Sequence, residues 1–322
     1  MVAILAVTVP FFALVLLGWA AAQRGLLPEA AIPGLNAFVL FFALPCLLFR
    51  FGMTTPVRQL LNPTLLAVYG LCAALLVAVT ITLTWRGGLA LKDAAFGALV
   101  AAFPNTGFMG VPLLVALLGQ SAAGPVICSV LTDMLFTSSL CIALAQSEGA
   151  AQHGMRQAAA RALRAALSNP LPWSIALGAA ASLAGWRPPG ALDTLVRMLA
   201  DAATPVALFT IGAVLWRAGQ HAQRRTPLRR VLPVALTKLL LHPLLMFGIG
   251  SAAQALGAPL SDFQLKVLTL AAALPSASNV SLLTERYGAD TGRIARIILM
   301  STVLAFGSFS ALAWWLGVQS TG

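Results

Sequence analysis

Two short stretches carry the residues best suited to chemistry. One reads Phe103-Pro104-Asn105-Thr106-Gly107-Phe108-Met109-Gly110-Val111-Pro112, and the other Leu274-Pro275-Ser276-Ala277-Ser278-Asn279. Each sets proline among small polar residues inside a long apolar run. A proline in a helix interior removes a hydrogen bond at a cost of about 3 kcal/mol, so both helices are expected to break. The half restarting near Asn105 to Gly107 then offers free N–H groups and a partial positive charge, as does the half restarting near Ser276 to Asn279. Two such ends facing each other make an oxyanion site without a buried lysine or arginine. Asn105, Ser276, Ser278 and Asn279 add neutral hydrogen bonds for a carboxylate, and Thr106 and Gly107 complete the candidate set. The alternative is that Pro104 and Pro275 only kink packed helices, with the serine and asparagine side chains satisfying freed backbone groups.

Four ionisable residues stand inside apolar runs: Asp133, Asp201, Lys238 and His242. Charges there are expensive and usually face the protein interior or a cavity. Lys238 and His242 are four apart and share a helix face. Asp201 either faces an internal pathway or sits near an interface beside Arg197. Lys238 has the further alternatives of a fixed structural ion pair or snorkelling to an interface. His153 and His221 fall in polar segments, and no histidine pair has metal-ligand spacing. Cys46, Cys72, Cys128 and Cys141 lie in apolar runs without C-x-x-C spacing and read as small buried hydrophobes. No metal site and no cofactor are expected.

The elements that position these residues follow from composition. Of 322 residues, 59% are hydrophobic and 9% charged, with mean hydropathy +0.90. Soluble domains carry about 25% charged residues, so the solvent here is mostly lipid. A bilayer core needs about 20 apolar residues per helix. Ten such segments are expected, at 2–22, 33–52, 63–85, 93–119, 122–145, 169–186, 194–215, 232–256, 264–287 and 294–317. The first has no basic residue before Arg24 and is long for a signal sequence, so it reads as a span.

Net charge is +11. The basic residues lie in short runs between apolar segments, which argues against nucleic acid. Arg50, Arg58, Arg187, Arg197 and Lys266 fall on one side of the expected spans, Lys238 inside one, and the remaining 14 of the 20 lysines and arginines on the other side. The basic side is therefore expected in the cytoplasm, with both termini outside. The runs Arg156 to Arg164 and Arg217 to Arg230 read as topology anchors attracted to anionic headgroups, or as a regulatory surface.

An internal repeat is also visible. A shift of 160 aligns Pro10 with Pro170, Gly18 with Gly178, Pro45 with Pro205, Phe49 with Phe209 and Gly52 with Gly212. Ala101 to Pro104 matches Ala272 to Pro275 at a shift of 171. Each copy, 1–145 and 169–322 about a basic loop at 146–168, then holds five spans. Five is odd, so the second copy must enter the membrane from the opposite face, a construction common in secondary transporters. The expected fold is an all-α membrane protein of ten transmembrane helices in two inverted five-helix repeats, with helices four and nine broken and crossing.

The stretch from Pro104 to Leu114, with Leu274-Pro275, Asn279 and Arg286-Tyr287-Gly288, resembles the auxin efflux carrier family of bacterial permeases and plant auxin exporters. The resemblance covers the whole chain and extends in fold to the sodium-coupled bile acid carriers. It implies an elevator-type carrier of organic anions, such as indole acetate or malate-like carboxylates, in a bacterial inner membrane. Helices one, two, six and seven would form a scaffold, often dimeric, and helices three to five and eight to ten a moving transport domain. Pro104 and Pro275 would be the crossover prolines and Asn105 the residue at the carboxylate. Within the transport domain Asp133 would be placed to pair with Lys238 as a proton-sensitive element. Two alternatives stay open: a sensor that binds the anion without moving it, and a sodium- or proton-coupled symporter. The absence of a carboxylate beside either crossover disfavours sodium. No H-E-x-x-H, G-x-S-x-G or paired aspartate motif is present, so an intramembrane enzyme is not expected.

Overall fold

The computed structural model describes residues 2–147, 169–220 and 226–318, which are helical with no strand. His153, His221, Arg224, Arg225 and the arginines of the 146–168 loop lie outside the described residues. The main helices are α1 (Val2–Gln23), α2 (Ala31–Thr54), α3 (Pro63–Arg86), α4 (Leu91–Ala102), α5 (Thr106–Leu118) and α6 (Gln120–Ser147). They continue as α7 (Pro170–Leu183), α8 (Gly190–Gln220), α9 (Leu228–Ala255), α10 (Asp262–Ala272), α11 (Asn279–Arg286) and α12 (Thr291–Trp315). Seven are long and apolar enough to cross a bilayer: α1, α2, α3 with the turn before it, α6, α8, α9 and α12. The expected spans at 93–119 and 264–287 are each two half-helices, and that at 169–186 is the 14-residue α7.

Local chemistry fixes the helix starts. The Asn62 side chain accepts from the N–H groups of Thr64 and Leu65 before Pro63, and Ser261 forms a reciprocal capping box with Gln264 at α10. Inside α2, α5 and α9 one turn widens to π geometry, at Val39–Ala43, Thr106–Gly110 and Thr237–Leu241. Each is centred four residues before a proline: Phe41 before Pro45, Phe108 before Pro112, Leu239 before Pro243. A proline ring clashes with the carbonyl four residues back, and a wider turn moves that carbonyl aside. The fourth π turn, Asp133–Thr137 in α6, has no proline beyond it.

Two packing groups result. In one, α1 lies along α8 and α2 along α7, with α2 also against α8. Small residues set these approaches. A Cβ at Gly18 would collide with the Phe209 carbonyl and one at Gly178 with the Phe49 carbonyl; at Gly52 it would meet the Ile175 carbonyl and at Gly212 the Val15 carbonyl. Membrane helices gain little from hydrophobicity against lipid and rely on such backbone contact. The partners are separated by the same 160 positions: Gly18 and Gly178, Phe49 and Phe209, Gly52 and Gly212, Val15 and Ile175.

The other group encloses the interrupted helices. Every residue of α4 from Ala94 to Ala102 is buried, as are Val267 to Ala272 of α10. A helix apolar all round belongs inside protein. The packing partners of the two include α3, α6, α9 and α12. Leu16, Leu17, Phe41, Phe42, Leu177 and Trp315 are exposed on the outer helices, an apolar surface that water would not tolerate.

Candidate functional site

Both sequence-predicted breaks are present, and they touch. The chain leaves helix between Ala102 and Thr106, and again between Ala272 and Asn279. Pro104 and Ser276 form an isolated antiparallel bridge. Across it the Asn105 N–H donates to the Pro275 carbonyl at 2.8 Å and the Ala277 N–H donates to the Phe103 carbonyl at 3.0 Å. Buried backbone groups must be paired, and prolines deny these strands their helical partners, so each interruption uses the other.

Neighbouring helices satisfy what remains. In an unbroken helix the Ser276 N–H would bond the Ala272 carbonyl. Instead Ser301 Oγ of α12 accepts that N–H at 3.2 Å, and Lys238 Nζ of α9 donates to that carbonyl at 2.6 Å. On the α5 side the Thr106 N–H turns back to the Pro104 carbonyl at 2.8 Å, and the Gly110 N–H reaches the Asn105 carbonyl at 3.0 Å.

The side chains at the crossing divide into used and unused. The Thr106 hydroxyl donates to the Pro104 carbonyl, and Gly107 is buried near Leu44 and Met134. Asn105 is 3% exposed and Ser276 2%, yet Asn105 Oδ1, Ser276 Oγ and Asn279 Oδ1 have no hydrogen-bond partner among the described residues. A buried polar atom left unpaired costs about 1–3 kcal/mol. Asn105 Oδ1 and Ser276 Oγ lie at the crossing itself, and Asn279 Oδ1 at the start of α11. Asn105 and Asn279 can turn their amides by half a turn to present N–H2 in place of oxygen.

Ser278 and Asn279 also line a cavity of about 730 Å³ between α11 and α12 on one wall and α2 and α8 on the other. Glu29, Arg217 and Glu285 stand at its rim. Asn105, Thr106 and Ser276 are not in its lining, so the predicted set divides between the crossing and this cavity.

The ionisable residues are arranged otherwise than the sequence suggests. Asp133, fully buried in the π turn of α6, accepts from the Tyr69 hydroxyl at 3.0 Å and the Thr137 hydroxyl at 3.1 Å. It makes no ion pair with Lys238. Lys238 is held by the Ala272 carbonyl and by His242 Nδ1 at 3.0 Å, so its Nζ caps the C-terminal end of α10. A cation at a helix C-terminus opposes the dipole's negative end. His242 Nε2 is buried without a partner, and its ring lies 6.2 Å from that of Tyr69. Asp201 is exposed and its carboxylate sits 3.8 Å from Arg50 of α2, with no ion pair to Arg197. Arg293, expected in a polar loop, is 1% exposed inside the first turns of α12.

Tyr69, Ser301 and Arg293 escape sequence reasoning because their partners are 64, 25 and 200 positions away. Thr137, four residues after Asp133, was findable from helical spacing.

Residues 3–313 match the pattern of membrane transport proteins. The chain is 30% identical to a protein of Rhizobium meliloti (strain 1021) named "Putative malonate transporter", over 98% of this chain and 96% of that one. It is 26% identical to the uncharacterized transporter YfdV of Escherichia coli (strain K12), and 27% identical to an uncharacterized transporter of Methanothermobacter thermautotrophicus, each over 92% of both chains.

Proposed function

Since the chain belongs to the membrane transport protein family, that of the auxin efflux carriers it resembles in sequence, we propose that it is a secondary transporter of small organic anions that binds one carboxylate at the crossing of its broken helices. The observation that carries this reading is the Pro104–Ser276 bridge, with unpartnered Asn105 Oδ1 and Ser276 Oγ beside it. The starts of α5 and α11 supply partial positive charge without a side-chain cation, and Asn105, Ser276, Ser278 and Asn279 supply hydrogen bonds. The name of the R. meliloti relative supports a short carboxylate such as malonate as cargo.

Transport follows from alternating access. The ten spans form two inverted repeats, and the 160-position correspondence in the α1–α8 and α2–α7 contacts supports that symmetry. The group α1, α2, α7 and α8 is the scaffold, through which two copies pair, and the group around α4 and α10 is the moving body. The cavity between α11–α12 and α2–α8 lies along their boundary and is the path from the arginine-rich, cytoplasmic face. Both termini lie outside a cell membrane of bacterial type. Asp133, Tyr69, Lys238 and His242 form the polar support behind the crossing, with Lys238 and His242 as the elements through which protonation couples to movement.

The test is Asn105→Ala in proteoliposomes loaded against labelled malonate. Asn105 Oδ1 has no hydrogen-bond partner among the described residues, so folding should survive. Loss of a hydrogen bond to a charged group removes about 1.5–3 kcal/mol, and uptake affinity should fall roughly 10- to 100-fold. Unchanged affinity and uptake would remove the site. Vesicles that bind malonate but never equilibrate it would make the protein a sensor.

A further inference from the structure

The start of α9 concentrates positive charge in a way its own chain does not balance. Its cap position is Pro227, with no side-chain cap and no acidic residue in the first turn, which instead carries Arg229 and Arg230. Cations at a helix N-terminus oppose the dipole. Both side chains are exposed and line a cavity of about 450 Å³ together with Leu83, Thr84, Val234 and Arg293.

Arg293 adds a buried charge to the same cavity. Its Nε donates to the Arg230 carbonyl at 3.3 Å and its Nη1 to the Asp93 carbonyl at 3.1 Å, while Nη2 has no partner. The guanidinium lies against Gly97, where a Cβ would approach Nη2 to 3.0 Å. The neighbouring carboxylates do not contact the guanidinium. Asp290 accepts the Arg293 backbone N–H and Asp93 accepts the Asp290 N–H, both at 2.9 Å, and neither forms an ion pair with the guanidinium. The guanidinium is thus held directly only by neutral carbonyls, with the Asp290 and Asp93 carboxylates nearby but not in contact, and two more arginines add positive charge beside it.

We propose that this cavity binds a phosphate-type oxyanion through Arg229, Arg230 and Arg293. Guanidinium forks match phosphate oxygens in pairs, and Arg229 and Arg230 stand in the first turn of α9, where a helix carries partial positive charge. Two sources share that chemistry: the headgroup of an anionic phospholipid, for which Leu83 and Val234 give an apolar wall, and free phosphate. The site is separate from the crossing and needs no assumption about what the protein carries.

The experiment follows thermal melting of the full chain in uncharged detergent during titration with short-chain phosphatidylglycerol, phosphatidylcholine, and sodium phosphate against sodium chloride at equal ionic strength. Each arginine near an anionic group contributes about five-fold in binding, so Arg229→Gln with Arg230→Gln should raise the phosphatidylglycerol concentration for half-maximal stabilisation by about ten-fold or more. Arg24→Gln with Arg286→Gln, exposed arginines elsewhere, should titrate as the unaltered protein does. Stabilisation by phosphatidylglycerol but not phosphate identifies a lipid site; stabilisation by phosphate over chloride, lost in the Arg229/Arg230 variant, identifies a free-anion site. Equal responses in the unaltered protein and the Arg229/Arg230 variant, equal loss in both double variants, or no response to either ligand overturns the proposal.

Discussion

Gly110 fixes the separation of the two interrupted helices, and Gly110→Ala tests how tightly the crossing is tuned. A Cβ there would lie 2.6 Å from Leu274 Cδ1, just before Pro275, and 3.3 Å from Thr106 Cβ. Ordinary carbon contacts begin near 3.5 Å, so about 1 Å of movement is required. Leu274 is fully buried and cannot swing into solvent. Overpacking of this kind costs about 1–3 kcal/mol, and about 1 Å at a functional centre can cost on the order of 100-fold in rate. We expect Gly110→Ala to lower the melting temperature modestly and malonate uptake by ten-fold or more. Leu274→Ala alone leaves a cavity and destabilises by about 2–5 kcal/mol. Combined, the two changes should relieve each other, because the new methyl occupies space the leucine vacates. A double-mutant cycle of stability and malonate affinity reads this directly. If the two effects add to within about 0.5 kcal/mol, the two residues do not share the space and the tuning argument fails.

Three further outcomes are expected. Gly18→Leu and Gly178→Leu should each cause a large loss of melting temperature, because both place side chains against the carbonyl of an opposed phenylalanine; a loss at one position only would break the equivalence of the α1–α8 and α2–α7 contacts. Ser301→Ala strands the Ser276 N–H and should cost about 1–3 kcal/mol, measured by thermal melting, with malonate affinity falling in step; normal affinity would mean that the Ser301 bond does not position the crossing. Tyr69→Phe removes one of two hydroxyls donating to buried Asp133 and should destabilise by a similar amount; a neutral effect on melting would show that Thr137 alone suffices.

What could be read in the sequence was local. Pro104 and Pro275 stand beside small polar residues within apolar runs, so the interruptions there were evident, as was the run of apolar segments around them; Pro10, Pro205 and Pro233 by contrast lie inside continuous helices. The widened turns at Phe41, Phe108 and Leu239 were local too, since each sits four residues before a proline. What could not be read was how distant segments meet. The layout that the resemblance implies put Lys238 within reach of Asp133, but the two make no ion pair. Asp133 collects two hydroxyls, and Lys238 covers the Ala272 carbonyl. Asp201 had Arg197 one turn away on its own helix, and Arg50 of another helix was closer in space. Arg293 counted as a loop cation and proved buried, because carbonyls of α4 and α9 reach it from remote parts of the chain.

The two main-chain bonds joining 103–105 to 275–277 amount to a scrap of sheet in an otherwise helical molecule. The residues that make them are buried, so prising one strand from the other would leave four main-chain polar groups unpaired. In the carrier proposed above, the crossing would move as a single rivet, with opening and closing at its margins and not by parting the rivet itself.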